Sequence, residues 1–116
     1  MSVGELSERT LELLSETLPR GRSADARVRY LLEAEYLRKL GQYRRTNAAL
    51  TQKYGMSFDA FLAEDIVGQR DYSWDVERDA MEWEIAVGGI DTMELRLQEL
   101  KHDGDDDSRI VASRSV

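Results

Sequence analysis

Both tryptophans and both phenylalanines of this chain fall between Tyr54 and Glu84, in YGMSFDAFLAEDIVGQRDYSWDVERDAMEWE. The same stretch carries a dense set of carboxylates and follows directly on a strongly basic segment. Aromatic side chains bring the largest apolar area a chain can bury, so their concentration here makes this segment the place where the chain folds back to build a core. Everything else in the sequence arranges itself around that turn.

Cap and breaker signals predict the elements on either side. Ser2 and Glu5 have the spacing of a capping box, and Pro19 ends the first helix, over about Val3 to Leu18. Pro-Arg-Gly-Arg at 19–22 reads as a turn, after which Ser23 caps a long helix ending at Tyr54-Gly55. Within it Tyr36, Leu40, Tyr43, Asn47, Leu50 and Tyr54 recur at spacings of four and three, a packing seam of the helical-hairpin kind. Asn47 is the polar member of that seam. It either fixes register or oligomeric state from a buried position, or reaches solvent where the helix bends at Gly41.

Ser57 opens a short third helix over about Phe58 to Ile66, with Met56 and Phe61 placed for a hydrophobic staple. Gly68 to Tyr72 reads as a loop, and Ser73 caps a last helix over about Trp74 to Lys101, where Asp75 and Glu77 suit the N-terminal dipole. The expectation is an all-α fold: a small bundle of four helices, one of them short, built on a long antiparallel helical hairpin. It forms a single domain over 1–101, followed by an acidic, disordered tail over 102–116.

At 100° per residue Val76, Ala80, Trp83, Val87, Ile90 and Leu97 share one face of the last helix, and Trp74, Met81 and Ile85 the opposite one. A helix apolar on both sides needs two partners. The long second helix covers one face. Internal burial is the default for the other, with a dimer or partner interface as the alternative. Gly88-Gly89 interrupts this helix at a cost of roughly 2 kcal/mol against two alanines. Gly41 and Gly88 lie at similar distances from the connecting segment, which suggests one crossing where both allow close backbone approach.

Composition narrows the function classes. The chain has 116 residues, 41% of them apolar and 34% charged, which suits one globular helical domain. It has no cysteine and one histidine, His102, which argues against thiol chemistry, zinc–thiolate sites and histidine-based catalysis. No apolar run approaches the roughly 20 residues of a membrane span, and MSVGELSER lacks signal-peptide character, so a cytoplasmic protein is expected. The net charge of −7 is polarised: residues 20–54 carry nine basic and three acidic side chains, and residues 55–107 four basic and sixteen acidic. Such asymmetry marks either a charged partner or two halves that satisfy each other.

Each charged constellation also has a plain structural explanation. Asp75, Asp79 and Glu82 share a helical face at i, i+4 and i+7, a spacing that suits Mg²⁺ or Mn²⁺ only when neighbouring helices add ligands. A solvated face pairing with Arg38, Arg44 or Arg45 accounts for them better, and no metal is expected. The acidic run at 103–107 lacks the closing glutamate of an EF-hand loop. Arg38, Arg44 and Arg45 lead the basic set that could meet phosphates, yet no DNA-binding motif accompanies them, which disfavours nucleic acid. With no phosphate loop and no activated serine, no catalytic residues, no cofactor and no enzymatic activity are expected.

Tyr54-Gly-Met-Ser-Phe58 with Phe61, then Tyr72-Ser-Trp-x-Val-Glu77, Asp79 and Glu82-Trp-Glu84, resembles a small family of bacterial and archaeal proteins carrying Y-G-M-S-F-x-x-F and Y-S-W-x-V-E-x-D-x-x-E-W-E. The likeness spans about Leu37 to Leu100. Members of that family look like accessory or antitoxin-like partners encoded beside small toxins. The resemblance implies neutralisation by binding: Asp75, Asp79, Glu82 and Glu84 would cover a basic site on a cognate toxin, with Trp74, Met81 and Ile85 as the apolar anchor. Two other classes compete: a homodimeric oligomerisation module using the same face, and a DNA-binding regulator using the basic helix.

Overall fold

A computed structural model describes the backbone of residues 6–17 and 23–115, and the side chains as far as His102. The described residues form five helices and no strand: α1 (Glu8–Thr17), α2 (Ala24–Tyr54), α3 (Phe58–Ala63), α4 (Ile66–Gln69) and α5 (Trp74–Ser115). The expected all-α hairpin architecture is therefore the observed one, with one short helix more. Two compact units make it up, dividing inside α2 between Glu35 and Tyr36.

In the first unit Ser7 caps α1, its Oγ accepting from the Thr10 amide at 3.1 Å. The expected Ser2–Glu5 capping box and the 19–22 turn lie outside the described residues. Ser23 caps α2 as predicted, accepting from the Ala26 amide at 3.1 Å. Arg27 of α2 donates to Ser15 of α1 at 3.4 Å. No residue of α1 is buried.

The second unit holds the core. α2 ends where Gly55 takes a left-handed φ of 67°, a conformation that costs a residue without Cβ little. Ser57, at φ −73° and ψ 164°, caps α3 by accepting from the Ala60 amide. Asp65 then adopts a left-handed φ of 50° and caps α4, its side chain accepting from the Gly68 amide. α4 occupies part of the stretch expected as the end of α3 and the start of a loop. The chain reverses again through Asp71 and Tyr72, both at φ 53°. The Glu77 amide donates to the Ser73 carbonyl at 3.0 Å as α5 begins. α5 runs past the expected stop at Lys101 to Ser115, through the segment read as a disordered tail. No proline interrupts that stretch, and Gly104 alone costs a helix only about 1 kcal/mol.

α2 and α5 pack antiparallel: rising positions 43, 47 and 54 on α2 meet falling positions 89, 83 and 79 on α5. Leu50, Phe61, Ile66, Val76 and Trp83 form the buried cluster, with Tyr54, Met56, Phe58, Val67, Ala80 and Val87 packed against it. Met56 and Phe61 thus share the cluster their staple spacing suggested. The close crossing differs from the expected Gly41–Gly88 pair. A Cβ placed on Gly89 would fall 2.5 Å from the ring of Tyr43, whereas one on Gly88 would meet nothing within 4 Å. An aromatic ring, not a second glycine, fills the space that Gly89 leaves.

Candidate functional site

The two motif segments converge on one side-chain assembly. Trp83, fully buried, is its centre. Tyr54 stacks on it at 5.8 Å between ring centroids, Phe61 lies at 5.0 Å and Phe58 at 5.3 Å. Aromatic pairs of this kind contribute about 0.5–1.5 kcal/mol each beyond their area burial. The indole N–H would be a buried unsatisfied donor, and Asn47 Oδ1 accepts it at 2.8 Å. Asn47, itself half-buried, thus ties α2 to α5 at one position of the hairpin rather than simply reaching solvent.

Asp79 is the polar partner of the same assembly. It is 7% exposed, and its Oδ2 accepts from Lys53 Nζ and from the Tyr54 hydroxyl at 2.7 Å. Burial pushes its carboxyl upward, but the hydrogen bonds from Lys53 and Tyr54 and the nearby positive charges of Lys53 and Arg78 outweigh that, holding it below the usual carboxylate range. Tyr54 is pushed up to about 12, first by burial and then by its bond to the Asp79 carboxylate. Lys53 and Arg70 both stand over the Tyr54 ring, 5.6 and 5.5 Å from its centroid.

The predicted contact residues accordingly separate. Trp74, Met81 and Ile85 lie together on the outer face of α5, 68%, 61% and 61% exposed. The default of internal burial for this face is overturned: α3 and α4 cover the core face of α5, with Phe61 and Ile66 joining Val76 and Trp83 in one cluster. Asp75, Glu82 and Glu84 are exposed beside the strip. Asp79 is not with them, because its side chain belongs to the core. Its position three residues after Val76 and four before Trp83 already pointed inward. Its i, i+4, i+7 relation to Asp75 and Glu82 was the less informative pattern.

The expected pairing of these acids with Arg38, Arg44 or Arg45 also changes. Asp79 takes Lys53, Asp75 takes Arg78 of its own helix at 3.4 Å, and Arg44 instead bridges to Glu94 at 3.1 Å. Arg38 and Arg45 are exposed on α2, Arg38 being engaged within the chain. Among the described residues no group of three or more His, Asp or Glu could hold a metal ion. An apolar groove of about 230 Å³ in the first unit, lined by Thr10, Leu13, Leu14, Thr17 and Leu31, offers no acid or base. Among the described residues no helix is long and apolar enough to cross a membrane.

Lys53, Arg70 and the Asn47–Trp83 bond were the members of the assembly that sequence reasoning missed. The α2–α5 register sets the Lys53–Asp79 and Asn47–Trp83 contacts, and the end of α4 carries Arg70 over Tyr54. The short helices between blur these relations in the sequence. Comparison of the chain with protein-family models, with curated proteins and with solved structures gives no match. The residues themselves therefore carry the functional argument.

Proposed function

We propose that this chain is a non-enzymatic protein-binding module, an antitoxin-like partner that neutralises a small toxin by direct contact through the outer face of α5. The observation that carries this reading is the strip of Trp74, Met81 and Ile85, each more than half exposed on a helix whose opposite face already completes the core. Burying such side chains contributes about 1.5–3 kcal/mol each, so leaving three of them in water on one ordered helix marks a surface awaiting a partner. Asp75, Glu82 and Glu84 beside them suit a basic surface on that partner and would speed its capture.

Two other readings use the same molecule differently. A homodimer could bury the strip against its own copy, at the cost of facing those carboxylates with themselves. A DNA-binding regulator would work through the basic stretch of α2, where Arg44 is already paired with Glu94. Light scattering on a sizing column, with the protein alone and co-expressed with the product of the adjacent gene, separates the three. A defined hetero-complex lost in the Trp74→Ala, Met81→Ala double variant supports the proposal. A homodimer indifferent to that neighbour sinks it, and so does salt-sensitive retention on DNA that Arg44→Gln, Arg45→Gln abolishes.

A further inference from the structure

The exposed strip has an internal period. Trp74, Met81, Gly88 and Leu95 follow at intervals of seven, and Arg78, Ile85 and Thr92 fall four residues after the first three. Seven residues make nearly two helical turns, so these alternating four- and three-residue steps draw one seam about 32 Å long down α5, the seam of a coiled coil. Its two polar members are each engaged with their own helix. The Arg78 guanidinium leans aside to Asp75 at 3.4 Å, leaving its alkyl stem on the seam. The Thr92 hydroxyl donates back to the Gly88 carbonyl at 3.0 Å. Leu95 is 51% exposed at the far end.

The positions flanking such a seam set partner choice, and here five of them are carboxylates. One edge carries Asp75, Glu82 and, at its far end, Arg96, which bridges to Glu99 of the same helix at 3.1 Å, and the other carries Glu77, Glu84 and Asp91. A second copy docked in parallel would set Glu77 against Glu82. Docked antiparallel, it would set the Glu77, Glu84 and Asp91 edge against its own copy. Both arrangements juxtapose like charges, which weighs against self-association, whereas a basic helix would meet five carboxylates. An occupant that satisfies both the seam and its edges has apolar residues at heptad spacing and lysine or arginine on either side.

We propose that the occupant of the outer face of α5 is a basic amphipathic helix of about three heptads, held in coiled-coil register. This inference rests on the proposed binding face and adds the kind of element that fills it.

The test titrates the full-length protein with three synthetic peptides, following tryptophan fluorescence and amide chemical shifts. The first has isoleucine and leucine on its seam and lysine on both flanks. The second replaces those lysines with glutamates, and the third scrambles the first. The lysine heptad peptide is expected to bind at least tenfold more tightly than either other, with shifts centred on Trp74 to Leu95. Trp74→Ala, Met81→Ala should weaken it at least tenfold at any salt, and Glu77→Gln, Glu84→Gln several-fold at low salt only. All four residues lie off the core cluster, and unchanged helical circular dichroism checks that the variants stay folded.

Equal binding of the lysine and scrambled peptides would overturn the inference, since charge alone would then suffice. Lack of binding by the lysine peptide would overturn it too, as would a homodimer that the Trp74, Met81 variant dissociates. If the peptide fails while the co-expressed neighbour still binds and is lost in that variant, the helical occupant is wrong and the binding face stands. If neither binds, the proposed function falls with it.

Discussion

Trp74 and Trp83 sit on the same helix, nine residues apart, in opposite environments. Trp83 is fully buried, ringed by Tyr54, Phe58 and Phe61, with its N–H on Asn47. Trp74 is 68% exposed. Hydrophobicity does not separate them. What does is the presence, at the matching register of α2, of a side chain that accepts the indole proton, and of a short helix that closes over the ring. A tryptophan is buried where its polar atom can be satisfied as well as its area covered.

Substitution of each tryptophan tests that contrast most strongly. Trp83→Ala should lose about 3–5 kcal/mol of stability, enough to unfold a domain of this size, while Trp74→Ala should change stability by less than about 0.5 kcal/mol. Urea titrations of both variants give the comparison, and a similar loss in each would break it.

The Asp79 assembly offers a second, smaller effect. Asp79→Asn keeps the shape but weakens the bonds from Lys53 and Tyr54, at a cost of about 1–3 kcal/mol near neutral pH. Because the carboxyl is depressed in the folded protein, its contribution is present above its unfolded pKa of about 3.9 and lost as pH falls through its lower folded value. The gap between wild type and variant should therefore close as pH drops below about 4. At the alkaline end the sign reverses for Tyr54. With its pKa raised to about 12, its neutral form stabilises the fold below about pH 10, and that contribution fades between about 10 and 12. Melting temperatures across pH for wild type, Asp79→Asn and Tyr54→Phe read both limbs.

The adjacent glycines of α5 sharpen the comparison at the smallest scale. Gly88→Ala should stabilise by about 1 kcal/mol, since a helical alanine is gained and nothing lies within 4 Å of the new methyl. Gly89→Ala gains the same propensity but drives its methyl to 2.5 Å from the Tyr43 ring. Overpacking of about 1–3 kcal/mol offsets the gain, so stability should fall by up to about 2 kcal/mol. Stabilisation by both would mean that the Tyr43 ring yields freely and the crossing is loose.

Much of the architecture could be read from local pattern. Ser23, Gly55, Ser57 and Ser73 were recognisable as helix boundaries because caps and left-handed glycines act over a few residues. The alternating spacing from Tyr36 to Tyr54 exposed the hairpin seam for the same reason. α4 escaped notice because its cap, Asp65 in a left-handed conformation, is a position where glycine or asparagine is the usual signal. The exposed strip was half legible: Trp74, Met81 and Ile85 were recognisable as a second apolar face, but not as an uncovered one.

Residues close in the chain thus specified the helices, their caps and the two apolar faces of α5, since those depend on backbone geometry and periodicities of three and four. Which face is covered, which acid is buried and which glycine faces a ring depended on the α2–α5 register. That register arises from Trp83 meeting Asn47 and Asp79 meeting Lys53 and Tyr54, contacts between segments more than twenty residues apart. Helical periodicity places a side chain on a face. Only a partner that matches its shape, proton and charge places it inside.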